Sequence, residues 1–456
     1  MRGTKKSISF ILVMILLMGI CVACGSNQEI NTQPSSDEKD VQQTVESSKK
    51  EEMAEDRVVT LFIDSNAAEK EETKELMANF EKATGIKIEH TVIPANGYEI
   101  YKKIDISMMS GDQTDVIGLS NAIIHDKYVQ SDFLMPLNDL AKENSYDMET
   151  VFGQNLAKYD DVVYSLPGQM SIWAVFYNKK IFDEAGVPYP DGSWTWDEYI
   201  ETAKKLTNPD KGIYGSYMLD YDCYLYYLAR QKEVSGYKED GASNYDDPAF
   251  AEALQFFGDL GNVHKIQPSW VEFKTKKYSW DQFMNGQFGM HFIGSWYIDL
   301  LNNPGDYPRD WDYGIAAIPA NEDGKNNFGN MNYYAINKNA KHPEEAFELV
   351  KYLAETEYTR KSAVPARVDL TEDELNAHFE NIASQSSDSI TGNDLTNALI
   401  NNGLGFVDEK FIGTASAEYS EIVLQEGELY LIGEQSIEDT VNNIKTRVDA
   451  AIESAN

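Results

Sequence analysis

The chain has 456 residues, with 75 Asp and Glu against 39 Lys and Arg, for a formal charge of −36. A surface this acidic repels nucleic acid and anionic lipid, which excludes both as partners, and it favours a soluble, monomeric body. Of three cysteines only Cys223 lies beyond residue 56, so no internal disulfide or Cys/His zinc site is available and stability has to come from a hydrophobic core.

The first element is a segment with Arg2, Lys5 and Lys6 ahead of an apolar run of 15 residues, Ile8 to Val22. The run is short for a membrane-spanning helix, which needs about 20 residues, and it fits the core of a signal peptide. Val22-Ala23-Cys24-Gly25-Ser26 resembles a lipobox, with Cys21 where Leu is usual. That resemblance implies cleavage after Ala23 and a lipid on Cys24. An ordinary cleaved signal peptide and an uncleaved anchor are the alternatives. All three place the body outside the cytoplasm, with the positive end left inside, and the lipid holds it at the outer face of the cytoplasmic membrane.

Residues 25–56 lack aromatics and are rich in Ser, Gln and Glu. They bury too little apolar surface to fold and are predicted to form a disordered tether with a typical span of roughly 30 Å. The leading segment carries three positive charges and this tether nine acidic and three basic residues, so residues 57–456 hold −33 of the total. A body of that length is expected to divide into two domains or lobes.

Val58 to Ile63 reads as a buried strand ended by Asp64-Ser65-Asn66. A helix over 69–83 follows, with Leu76, Phe80 and Ala83 on one face and Gly85 just past its end. Ile86-Lys87-Ile88 starts a second strand. A helix over 98–109 and a short strand over 115–118 complete a β-α-β-α-β pattern, which predicts an α/β fold with a mostly parallel sheet. Ligands bind such sheets beyond the carboxyl ends of the strands, which singles out Ser65, Asn66 and Asp115. Further on, Thr195-Trp196-Asp197-Glu198 forms a capping box for a helix through Leu206. Pro343, Glu344 and Glu345 suit the first turn of a helix over 343–354, and Ser436 caps a last helix to Ile452.

A family resemblance runs in order along nearly all of 57–456. Its parts are Phe80-Glu81 with Gly85-Ile86, Thr114-Asp115-Val116-Ile117, Leu134 with Pro136-Leu137, Val163-Tyr164-Ser165-Leu166-Pro167, Phe176-Tyr177-Asn178-Lys179, Phe182 with Ala185-Gly186, Trp194-Thr195-Trp196-Asp197-Glu198, Phe283 with Gly286, Met290, Gly294-Ser295-Trp296 and Ile318-Pro319. Thr114 stands where the pattern has Pro. The body resembles the family 1 extracellular solute-binding proteins, the group of maltose-type binding proteins.

The resemblance implies a two-lobed periplasmic-binding-protein fold (type II). Residues 57–168 and 333–365 would form one lobe and 169–332 and 366–456 the other, with chain crossings near 168–172, 329–333 and 364–368. A solute, most naturally a mono- or oligosaccharide, would bind between the lobes and be handed to the permease of an ABC importer. A glycerol phosphate ester is the alternative solute.

For the site, the resemblance implies that Trp296 stacks on the apolar face of a sugar and that Asp115 accepts sugar hydroxyls. A core tryptophan and a strand-end cap are the structural alternatives. Ser65 and Asn66 would contribute hydroxyl contacts. Gln169, Ser171 and Trp173 alternate along the first crossing and should share one strand face, which is either cleft or core. Gly329, Asn330 and Asn332 sit at the second crossing, where a glycine lets a ligand approach the backbone. Tyr221 lies in a tyrosine-dense stretch whose helical spacing with Tyr217, Tyr224 and Leu228 suits a core face, while the resemblance places an aromatic from this region on the ligand, so it faces either cleft or core. Arg367, at the third crossing, either binds an anionic group or pairs with a nearby carboxylate.

No HExxH pair, GxSxG turn, phosphate loop or EF-hand loop occurs in the sequence, and the six histidines, at 90, 125, 264, 291, 342 and 378, are scattered. The expectation is a binding protein without cofactor or metal. A secreted glycoside hydrolase or a surface adhesion protein are the rival classes.

Overall fold

A computed structural model describes residues 57–94, 99–320, 327–360, 363–400 and 406–455. Cys24, the signal-like segment and the tether lie outside the described residues.

The strand β1 (Val58–Asp64) leads into a short helix α1 (Ser65–Glu69) and a longer one, α2 (Glu71–Thr84), closed by Gly85. β2 (Lys87–Ile93), α3 (Glu99–Met109), β3 (Val116–Leu119) and α4 (Ala122–Gln130) follow. β1 pairs in parallel with both β2 and β3. Both faces of β1 are covered, as parallel sheets require. Val59 and Leu61 pack on α2 through Leu76, Met77 and Phe80, and on the helix Pro343–Thr356 through Phe347, Val350 and Leu353. Phe62 packs on the opposite face against Tyr101, Ile104 and Met108 of α3. Each such side chain contributes about 1.5–3 kcal/mol on burial.

The remaining strands join this sheet to a second one. β4 (Ser165–Asn178) is the longest. Its first half pairs antiparallel with β8 (Asn327–Ile336), which in turn pairs antiparallel with β3. Its second half runs into another sheet, between β6 (Phe288–Gly294) and β7 (Tyr313–Ala317), with β5 (Tyr214–Tyr217) parallel to β6. Helices Trp196–Leu206, Pro248–Asn262, Ser416–Leu431 and Ile437–Ala455 cover that second sheet and share one aromatic-rich core with it.

Two short strands finish the junction. β9 (Val364–Pro365) pairs with β4 at Gln169–Met170, and β10 (Phe406–Asp408) pairs in parallel with β8 at Asn327–Gly329. Of the ranges expected to hold crossings, 168–172 lies on β4, 329–333 on β8, and 364–365 of 364–368 form β9. β10 was not foreseen.

Two sequence readings change. The polar turn expected after β1 is the helix α1, capped by Asp64, whose carboxylate accepts the backbone N–H groups of Asn66 and Ala67. Asp115 precedes β3 rather than ending it, because β3 begins at Val116.

Candidate functional site

A cavity of about 570 Å³ opens at the carboxyl ends of β1 and β3, where the chain crosses between the two sheets. Leu61 to Asp64 and Gly118 to Ser120 form one side, with Ala67 of α1, Thr73, Leu76 and Met77 of α2, and Ile100 and Tyr101 of α3. Gln169 and Ser171 of β4, Asn330, Asn332 and Tyr334 of β8, Trp296 just after β6, and Leu353 and Glu357 complete it.

The crossing strands set the polar wall. Ser171 and Asn330 are opposite each other in the β4–β8 register, so their side chains share the cavity face. Asn332 is held at both ends of its amide. It accepts the backbone N–H of Gln169 at 2.7 Å and donates to Glu357 at 3.1 Å. Glu357 also accepts the hydroxyl of Tyr334. The Tyr101 hydroxyl accepts from the Ser120 backbone N–H at 2.8 Å and donates to the Gly118 carbonyl at 3.2 Å, which fixes the end of β3.

Two polar atoms break this pattern. Gln169 Oε1 and Ser171 Oγ are buried and have no hydrogen-bond partner among the described residues. An unsatisfied buried polar group costs about 1–3 kcal/mol, and such groups concentrate at functional sites.

Trp296 flanks them with 37% of its surface exposed. Ser295 anchors it, because its backbone N–H donates to the Ile172 carbonyl at 2.7 Å and its hydroxyl accepts the Ile172 N–H at 3.2 Å. The indole then folds over Gly294. A Cβ on Gly294 would lie 2.8 Å from Trp296 Cδ1 and 2.7 Å from Ser171 Oγ, so only glycine admits this arrangement.

The electrostatics are one-sided. Among the described residues the cavity walls carry the carboxylates of Asp64 and Glu357 and no Lys, Arg or His.

Of the sequence candidates, Gln169, Ser171, Trp296, Asn330 and Asn332 line this cavity. The others sit elsewhere. Asp115 is fully buried, and its oxygens accept from Thr60 N and Oγ1, from the backbone N–H groups of Lys341 and His342, and from the His342 ring. Burial pushes its carboxyl pKa up, but the hydrogen bonds from Thr60 and His342 outweigh that and hold it below the ordinary range. It ties β1 and β3 to the start of the helix Pro343–Thr356 and has no capacity left for a ligand.

Trp173 parts from Gln169 and Ser171 because β4 enters the second sheet there and is buried on both faces. Its ring packs on Tyr224, Phe292 and Phe328. At Gly329 it is β4 that approaches closely, not a ligand, since an added Cβ would meet the Ser171 carbonyl at 2.0 Å. Arg367 pairs through two bonds with Asp369, at 2.7 and 2.8 Å, and stands 3.8 Å from Glu355, outside the cavity. The Asp369 carboxylate raises its pKa.

Ser65 and Asn66 belong to α1, and their neighbours Asp64 and Ala67 line the cavity in their place. Tyr221 is as exposed as Trp296, stacks at 6.1 Å on Tyr224, and is not part of the lining.

Sequence reasoning missed Asp64, Tyr101, Ser120, Tyr334 and Glu357. Ser120 was within reach of the strand-end rule, had β3 been given its true end at Leu119. Glu357 follows a helix and carried no signal.

Three comparisons bear on this geometry. A family described as "Bacterial extracellular solute-binding protein" matches residues 64–360. A putative binding protein from Brucella abortus is 24% identical over 285 residues, 61% of this chain and 66% of that protein, and an arabinooligosaccharide-binding protein from Halalkalibacterium halodurans is 28% identical over 193 residues, 42% of each. The chain thus spans just under two thirds, or less, of the length of these relatives. The structure of an ABC substrate-binding protein from Listeria monocytogenes in complex with cycloalternan superimposes with a TM-score of 0.74 at 22% identity, covering 88% of this chain and all of the other. That likeness identifies the two-lobed binding-protein fold.

Proposed function

The chain belongs to the bacterial extracellular solute-binding proteins, and from that membership we propose that it captures an uncharged saccharide in the cavity between the crossing strands and presents it to an ABC importer. The observation that carries this reading is the pair of buried oxygens, Gln169 Oε1 and Ser171 Oγ, beside the exposed Trp296 ring. A pyranose has hydroxyls for the first and a C–H face for the second. At about 570 Å³ the cavity falls within the range of roughly 300–1,000 Å³ usual for small-molecule sites. A phosphate ester is disfavoured, because its charge would face Asp64 and Glu357 with no cation on the described walls.

In this reading residues 57–168 and 333–365 make one lobe and 169–332 and 366–456 the other. Solute stacks on Trp296, its hydroxyls pair with Gln169, Ser171 and Asn330, and the lobes close about the crossings by hinge motion. The relatives are binding proteins, which supports a non-catalytic role. A lipid on Cys24 and the 25–56 tether would keep the protein near its permease. Among the described residues no helix is long and apolar enough to cross a membrane. Mass spectrometry of the mature N-terminus tests the anchor, and a first residue other than a modified Cys24 excludes it.

The solute is tested by thermal shift with arabinotriose, galactotriose, maltotriose and glycerol phosphate. Binding stabilises the native state by about 2.7 kcal/mol at a ligand concentration of 100 Kd. A shift with glycerol phosphate and none with any saccharide refutes the saccharide reading.

A further inference from the structure

Glu409 lies just beyond β10, buried against both crossing strands. Its backbone N–H donates to the Gly329 carbonyl at 2.7 Å, which seats it on β8. One carboxylate oxygen accepts the indole N–H of Trp173 on β4. The other accepts the side-chain amide of Asn330 on β8 at 3.1 Å. One acidic side chain, from a segment that does not line the cavity, therefore touches both strands that do.

The chemistry of these three groups leaves a single arrangement. A carboxylate only accepts and an indole only donates. The group that Asn330 turns toward Glu409 must then be its NH₂, and its Oδ1 is turned the other way. Asn330 lines the cavity opposite Ser171. We propose that Glu409 is a positioning residue that fixes the Asn330 amide so that the cavity wall presents an acceptor there. Together with Gln169 Oε1, the wall then reads donating hydroxyls and discriminates against solutes that offer only an acceptor at that position. This inference rests on the saccharide reading for its ligand but not for its geometry.

Glu409→Gln tests it with little change of shape. The Trp173 indole can still only donate, so the new side chain must give it the amide oxygen and turn its own NH₂ toward Asn330. The Asn330 amide then inverts and shows its NH₂ to the cavity. Adding Asn330→Asp restores an acceptor on both sides, because an aspartate accepts from the amide at 409 with one oxygen and offers the other to the solute. The double variant moves the negative charge without adding one.

The probe is whichever of arabinotriose, galactotriose and maltotriose binds the native chain, with its set of monodeoxyfluoro analogues, measured by calorimetry. Fluorine cannot donate. In the native chain one analogue should lose about tenfold in affinity, in line with one mispaired hydrogen bond in a buried site. That loss should vanish in Glu409→Gln and return in the double variant. A loss that persists unchanged in Glu409→Gln overturns the proposal.

A second measurement needs neither the folding of Glu409→Gln nor any solute. The Asn330 side-chain amide, assigned by the NMR signal lost in Asn330→Ala, should show one proton protected from exchange with water in the native chain, and rapid exchange of both protons overturns the proposal. If no saccharide binds the native chain, the saccharide reading fails while this measurement still decides the role of Glu409.

Discussion

Replacing Asp115 with Asn separates a structural carboxylate from a ligand-binding one. Oδ1 of Asp115 accepts two backbone N–H groups, from Lys341 and His342, at 2.8 and 2.9 Å. Oδ2 accepts from Thr60 N at 2.8 Å, Thr60 Oγ1 at 2.6 Å and His342 Nδ1 at 3.0 Å. Whichever oxygen becomes NH₂ faces at least two donors. Hydrogen bonds to a charged group are worth about 1.5–3 kcal/mol each, so Asp115→Asn should lose about 3–6 kcal/mol. Urea unfolding in the absence of solute measures this. Because the folded carboxyl titrates below its ordinary range, its contribution is present above the unfolded value of about 3.9 and fades as pH falls through the folded one. The native chain should therefore lose stability below about pH 4 more steeply than the variant. Affinity for the saccharide that binds the native chain should be unchanged wherever the variant is folded. A cost under about 1 kcal/mol, or a tenfold loss of affinity with the fold intact, would refute the account of Asp115 as a tie between β1, β3 and the helix that follows His342.

Trp296→Ala should weaken saccharide binding at least tenfold while leaving the urea midpoint nearly unchanged, since more than a third of the residue is exposed; equal affinity would make the ring a bystander. Gly294→Ala places a Cβ within 3 Å of both Trp296 and Ser171, and calorimetry should show affinity falling more than the 1–3 kcal/mol that overpacking takes, roughly, from stability. Burial lowers the pKa of His291 from 6.5 to about 3 and that of His125 to about 4. Both are neutral in the fold and take up protons on unfolding, so stability should fall by up to about 1.4 kcal/mol per histidine per pH unit below about 6.5. His291→Gln should flatten the slope of unfolding free energy between pH 6 and 4, and an unchanged slope would mean that His291 is already charged in the fold.

The elements were legible where local rules agree with tertiary packing. Gly85 ends α2, Thr195 and Glu198 form the capping box of the helix Trp196–Leu206, and Leu76 and Phe80 face the core. Each of these signals is contained within a few residues. Legibility ended where the cause is distant in sequence. Alternation along β4 put Trp173 on the face of Gln169 and Ser171, but the strand leaves one sheet for another between them, and period-two reasoning cannot see a change of sheet. Asp64 looked like the start of a turn because its capping of α1 needs only two backbone N–H groups and announces no helix of standard length. Glu409 had no motif at all, since its partners are 236 and 79 residues away.

Residue type could not rank the site candidates, but hydrogen-bond satisfaction can. Asp115, Arg367 and Trp173 are the charged and aromatic residues that a sugar site would use, and in each the polar atoms are consumed by neighbours: Thr60 and His342, Asp369, and Glu409. A group so engaged must break strong bonds before it can meet a solute, which leaves little net affinity. Gln169 and Ser171 are unremarkable by type, yet their buried oxygens have no partner among the described residues. For them the desolvation cost is already part of the fold, and in the proposed binding mode a solute hydroxyl that pairs with them regains it. The same logic explains why Asn332, Tyr334 and Glu357 are bonded to one another rather than left open. They hold the second crossing strand in place and, through the Gln169 N–H that Asn332 accepts, tie the first one to it, so that in the proposed binding mode the atoms without partners stand at fixed positions and affinity is not spent on ordering them.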